Sequence, residues 1–137
     1  MKRTSLKRGK GLKRKKPSYY KDQADTLWSK IIRMKPCAIR NGHCGGGLNA
    51  HHLISRSVVA TRHKLENGIC LCASHHMLSS RLSAHGAPLA FADWLEAHRP
   101  EQFAWQRAHR NDSGRPDYVA VCEELRAKIE AMGGSVE

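Results

Sequence analysis

The sequence predicts an α+β fold, a short β-hairpin framed by helices, on three observations. Apolar residues recur at helical spacing before residue 36 and again after residue 88. An alternating segment, Ile69-Cys70-Leu71-Cys72, follows the turn signal Glu66-Asn67-Gly68. Histidines and cysteines crowd between residues 37 and 76 more densely than packing explains, because a core takes Leu, Ile and Val whereas a metal ion or general base takes imidazole. A chain of 137 residues makes about one domain with one modest core.

The net charge of +12 and a pI near 9.9 point to a polyanionic partner, most simply nucleic acid. The charge is uneven. Residues 1–16 carry nine Lys and Arg, among them Lys13, Arg14, Lys15 and Lys16, and no acid, which leaves the rest with fifteen bases against twelve acids. Residues 1–17, closed by Pro17, have almost nothing apolar to bury and are expected to form a disordered arm that binds phosphates without reading sequence; the plainer reading is a solvated tail. No apolar run is long enough for a membrane span, and no apolar segment follows the basic start to make a signal peptide, so the expected location is the cytoplasm. Five cysteines, an odd number, then read as metal ligands or buried thiols and not as a disulfide framework.

In chain order, residues 18–110 are expected to form the main domain and 111–137 a loop and a C-terminal helix. Leu27, Trp28, Ile31, Ile32 and Met34 mark a helix over 18–35, with Pro36 enforcing the stop. Residues 50–55 and 69–72 are the two strands, joined by a loop rich in Ser, Arg and Thr. Cys70 and Cys72 should share a strand face. Ser74 is placed to cap a helix carrying His75 and His76. The run His85-Gly86-Ala87-Pro88 breaks that pattern, and helices restart at Pro88 and Pro100. Asn111 to Pro116 is a loop by composition, and Asp117 caps a last amphipathic helix using Val121, Leu125 and Ile129, with Cys122 a further candidate for its buried face, ended by Gly133-Gly134. His63, His98 and His109 stand alone and read as ordinary surface or partly buried side chains.

Cys37 and Cys44 flank a polar turn, and Cys72 and His75 are separated by two residues at a strand-to-helix junction. Together they make a candidate Cys3His zinc site. Six residues separate Cys37 from Cys44, more than the usual two to four, so the knuckle must bulge or His43 must replace one cysteine; unrelated reduced thiols are the alternative.

The stretch from His51 to His76 resembles the HNH endonucleases, whose hairpin and following helix, the ββα-metal motif, hold one divalent metal over a scissile phosphate. Fourteen residues separate His52 from Asn67 and eight separate Asn67 from His76, a spacing similar to that of the bacterial-toxin branch. The resemblance covers roughly residues 37–98 and looks closest to small phage-type members, including the NinG/Rap recombination nucleases. It implies a treble-clef-like core with a structural zinc, His51 and His76 as ligands of a catalytic divalent metal (Mg, Mn, Ni or Zn), His52 as general base and Asn67 as the residue that ties the loop and orients it. It also implies DNA as partner and a bacterial or phage-infected cell as setting. Cys72 matches the family's Leu-Cys-x-x-Cys/His-His run, which leaves Cys70 a small buried hydrophobe.

The family's further His, one helical turn after the last, is Ser80 here. His85 could be that ligand displaced by an insertion. Nine residues along a continuous helix turn through about 900°, to the side away from His76, so the expectation is a structural or solvent-facing His85 unless the helix ends early. Adjacent strand residues also point to opposite faces, so His51 and His52 can serve one phosphate only if the strand bends or the substrate wraps its edge. Arg56 and Arg62, on the intervening loop, read equally as phosphate contacts or as surface charges. The expected activity is metal-assisted hydrolysis of DNA. The rival is a noncatalytic zinc module that binds DNA or RNA through its arm, which has no need of His51, His52, Asn67 and His76 as a set.

Overall fold

The computed structural model describes residues 15–135. Pro17 does not close an arm. It sits in the first turn of helix α1 (Pro17–Ile32), where its fixed φ suits the helix and its missing N–H is not needed. Lys13 and Arg14 of the expected arm lie outside the described residues, and Lys15 and Lys16 are exposed. Ala24, Leu27, Trp28, Ile31 and Ile32 form the buried stripe, and the helix ends three residues before the expected Lys35.

Strands β1 (Leu48–His52) and β2 (Gly68–Cys72) form a two-stranded antiparallel hairpin, with His51 opposite Ile69 and His52 opposite Gly68. β1 starts two residues before and stops three residues short of the expected 50–55. Every residue of β2 is buried, because the strand runs between two apolar clusters. Cys70 packs with α1, whereas Ile69 and Leu71 pack on the other side with Ile39, Leu53, Phe91 and Leu95. Cys72, at the strand end, joins the second cluster, so the expected shared face of Cys70 and Cys72 is lost where the strand turns out. A β-carbon on Gly68 would lie 2.3 Å from Ile32 Cδ1 and 2.8 Å from Trp28 Cζ2, which shows how closely β2 approaches α1.

The segment after β2 is not an α-helix capped by Ser74. Ser74–Leu78 is a single π-helical turn without a side-chain cap, and Ser79 is extended. Ser83 Oγ donates to the Ser79 carbonyl at 2.6 Å, and the chain doubles back so that Ala84 and His85 donate their N–H groups to the His75 and His76 carbonyls, each at 2.9 Å. Helix α2 (Pro88–His98) then buries Phe91 and Leu95. Helix α3 (Pro100–His109) lies across the hairpin loop: Gln102 donates to the Glu66 and Gly68 carbonyls at 3.1 and 3.0 Å, and Gln106 to the Leu53 carbonyl at 2.8 Å.

Asp117 caps helix α4 (Tyr118–Ala131), its Oδ1 accepting from Val119 and Ala120. Cys122, Leu125 and Ile129 pack on the buried stripe of α1, so the segment expected as a separate tail completes the first core. Among the described residues no helix is long and apolar enough to cross a membrane.

Candidate metal centres

Two groups of metal-ligating side chains flank the junction of β2 with the π-helical turn. In the first, the ligand atoms of Cys37, Cys44, Cys72 and His75 all lie within 4.8 Å of one another. The extended segment after α1 reaches this point because Ala38 donates to the Cys70 carbonyl at 2.8 Å, while Ala73 and Ser74 donate to the Gly47 and Gly45 carbonyls. The three sulfurs stand 3.5, 3.7 and 3.1 Å from His75 Nδ1. A tetrahedral zinc with bonds of about 2.3 Å to sulfur and about 2.0 Å to nitrogen separates those atoms by about 3.5 Å, so the group fits zinc without rearrangement. Cys37 and Cys44 both join the group and His43 replaces neither, and both sulfurs lie near the Ile39 carbonyl at 3.4 and 3.3 Å. Desolvation and the neighbouring Cys37 and Cys72 sulfurs push the Cys44 thiol up to about 11. Against desolvation, backbone N–H groups and the Cys37 and Cys44 side chains lower the Cys72 thiol in turn, so Cys72 is the sulfur of this cluster that ionises more readily than Cys44.

The second group is His51, His76 and His85, again with ligand nitrogens within 4.8 Å of one another. The rings form a near-equilateral triangle, with centroids 5.1, 5.0 and 4.9 Å apart. Here the expectation for His85 is half corrected. His85 is exposed, but it stands beside His51 and His76, because the π-helical turn stops at Leu78 and the return of the chain pairs the His85 N–H with the His76 carbonyl. A continuous helix would carry His85 to the far side of His76, but this helix is one turn long. Burial, reinforced by His76 and His85, pushes His51 down to about 3, and burial with His85 nearby lowers His76. Both rings are therefore neutral near pH 7, the form that can ligate a metal.

His52 points the other way from His51, as the pleat demands. Its ring stacks on Trp28 at 3.9 Å between centroids, and its Nε2 lies 3.0 Å from the Arg62 carbonyl. A carbonyl only accepts, so the proton resides on Nε2 and Nδ1 keeps a free lone pair. Burial lowers the His52 pKa as well, with Arg62 and Arg56 adding to the effect and its hydrogen bond to the Arg62 carbonyl opposing it. A groove of about 600 Å³ follows β1, whose second edge has no strand partner among the described residues, and His51, His52, His76, His85 and Arg56 all line it. The two histidines thus meet one groove across the strand edge, without a bulge.

Asn67 is fully buried and ties the loop shut: its Oδ1 accepts from Ile54 N–H at 2.6 Å, and its Nδ2 donates to the Ile54 and Thr61 carbonyls at 3.1 and 3.2 Å. Arg62 is not a surface cation. It is 6% exposed and both Nε and Nη2 donate to Asp25, so the phosphate contact considered for it is withdrawn. Arg56, with 67% of its side chain exposed, only approaches Asp25 Oδ2 at 3.9 Å and keeps its guanidinium open to solvent. Sequence reasoning missed Asp25, Trp28 and His63. Trp28 was recognised only as core, and His63, taken as isolated, is buried with Nε2 2.6 Å from Asp25. Asp25 and Trp28 lie one turn apart on α1, a spacing visible in sequence, but nothing local tells which loop they face.

No family model, no curated protein and no solved structure matches this chain.

Proposed function

We propose that this protein is a metal-dependent DNA endonuclease of the HNH kind. In this reading the hairpin and the turn after it form the ββα-metal unit, and the Cys3His group is a treble-clef-like structural zinc knuckle. The observation that carries it is the convergence, in one groove, of three imidazoles with a fourth whose Nε2–H is donated to a backbone carbonyl. A structural zinc site needs four ligands, whereas three histidines leave a position open for substrate, which is the pattern of catalytic metals. His51, His76 and His85 would hold that ion, and imidazole donors suit Zn, Ni or Mn better than Mg, which prefers oxygen.

An ion held there would supply Lewis-acid stabilisation of the charge that develops as the phosphodiester is cleaved. His52 does the proton work. Its Nδ1 takes a proton from the attacking water, while the Arg62 carbonyl holds the opposite nitrogen and keeps the ring in the competent tautomer. Asn67 serves by keeping the loop that presents this carbonyl closed. Arg56 at the groove supports a flanking phosphate, and the basic segment 1–16 adds sequence-independent affinity for the DNA backbone.

The test is incubation of zinc-loaded protein with supercoiled plasmid and Mg²⁺, Mn²⁺, Ni²⁺ or additional Zn²⁺, with His52→Ala as control. Cleavage should appear and fall about 10²- to 10⁴-fold in the variant, the usual worth of a positioned base. DNA binding without cleavage under every ion would favour a noncatalytic zinc module instead.

A further inference from the structure

Helix α1 touches the histidine site through two side chains of one face. Asp25 Oδ1 accepts from Arg62 Nε at 2.8 Å and lies 2.6 Å from His63 Nε2, while Oδ2 accepts from Arg62 Nη2 at 2.6 Å. Arg62 Nη1 also donates to the Arg56 carbonyl at 3.2 Å. One turn further on, Trp28 Nε1 donates to the Lys64 carbonyl at 2.9 Å, and its ring covers His52. The residues on either side of the Arg62 carbonyl are therefore clamped to α1, and that carbonyl is the partner of His52 Nε2.

This investment is larger than stability explains. Asp25 has 27% of its side chain exposed and Arg62 only 8%, and a largely buried ion pair rarely repays its desolvation beyond what an apolar pair would contribute. What such a pair does supply is geometry, since a two-point guanidinium–carboxylate fork admits one orientation. Residues 53–64 contain no strand or helix, so apart from turn hydrogen bonds and Asn67, which holds the Thr61 carbonyl, the Arg62 carbonyl depends on this clamp for its position. A hydrogen bond weakens steeply outside about 2.7–3.2 Å, so a small drift of this loop would release the His52 ring to its other tautomer, with the proton on Nδ1 and no base to offer.

We propose that Asp25, acting through Arg62, is a positioning residue for His52: it fixes the loop carbonyl that keeps the His52 proton on Nε2 and the Nδ1 lone pair free. The role rests on the nuclease reading, in which that lone pair is the general base.

The test uses the full zinc-loaded chain with Asp25→Asn, which keeps the shape and removes the charge. Arg62→Lys, which keeps the charge and removes the fork, is the second variant should the first fail to fold. Long-range ¹H–¹⁵N spectra of the imidazoles, recorded at mildly alkaline pH without added divalent ion, should show a single Nε2–H tautomer for His52 in the wild type and a mixture in either variant. Single-turnover plasmid cleavage at saturating Mn²⁺, with protein in saturating excess over DNA so that any change in affinity through Arg56 does not enter, should fall about 10- to 100-fold, the range typical for loss of an orienting partner. In a His52→Ala background the same substitutions should cost nothing further, since a residue that acts through His52 has nothing left to position. An unaltered tautomer, or a full additional loss of rate in the His52→Ala background, overturns the proposal. A wild type that cuts no DNA refutes the nuclease reading and the positioning role together, whereas cutting that depends on His52 but not on Asp25 refutes the positioning role alone.

Discussion

Replacing Asn67 by Ala should destabilise the fold before it reveals anything about chemistry. The side chain is fully buried and spends its acceptor on Ile54 N–H and its two donors on the Ile54 and Thr61 carbonyls. Thr61 O also accepts from Lys64 N–H at 3.1 Å and so keeps a partner, which leaves the two backbone groups of Ile54 orphaned. Each buried unsatisfied group costs about 1–3 kcal/mol, giving about 2–6 kcal/mol before water enters the gap, and about 3–4 kcal/mol is a reasonable centre. Domains of this size hold about 5–15 kcal/mol in total, so the variant loses a large share. At roughly 3–6 °C per kcal/mol, the melting temperature of the zinc-saturated variant, followed by circular dichroism, should drop about 10–20 °C. Asn67→Asp should not rescue it, because a carboxylate has no donor for the carbonyls. A shift under about 2 °C for Asn67→Ala would show that the loop does not depend on these bonds.

Cys72→Ser should abolish stoichiometric zinc and leave most of the chain unfolded at room temperature, since structural zinc contributes about 10–16 kcal/mol of apparent binding free energy to small domains, as much as the whole fold; normal melting without bound metal would remove the Cys3His site. In calorimetric titrations of Mn²⁺ or Ni²⁺ into zinc-loaded protein, His85→Ala should lose affinity as His51→Ala and His76→Ala do, while His52→Ala binds normally; tight binding by His85→Ala would return that residue to the role of a surface histidine. Stability free of the second ion should also fall with acid. His51 takes its proton near 3 when folded and near 6.5 when unfolded, so the unfolded state binds more protons between those values, and this contribution is complete above pH 6.5 and lost as pH falls towards 3. Urea midpoints measured across that window should rise with pH less steeply in His51→Ala than in the wild type.

Much of this was legible in the chain because it is local. Helix α4 could be placed by Asp117 and the Val121–Leu125–Ile129 spacing, the hairpin by Glu66-Asn67-Gly68 and the alternation after it, and the Cys3His group by the placing of Cys37, Cys44, Cys72 and His75 around a turn and a strand end. These signals act within a few residues, through φ preferences, capping and side-chain period. Three features needed the tertiary structure. His85 joins His51 and His76 because a helix ends after one turn, and that ending depends on Ser79, Ser83 and the backbone pairing of 75–76 with 84–85. Arg62 leaves the surface because Asp25, 37 residues earlier, meets it across the core. Trp28 is a core residue by pattern, yet its ring also covers His52, since Gly68 lets the hairpin approach α1 closely. Periodicity says which face of an element is buried. Which distant side chain waits on the other side is set by how all the elements pack at once, and no window of sequence contains that.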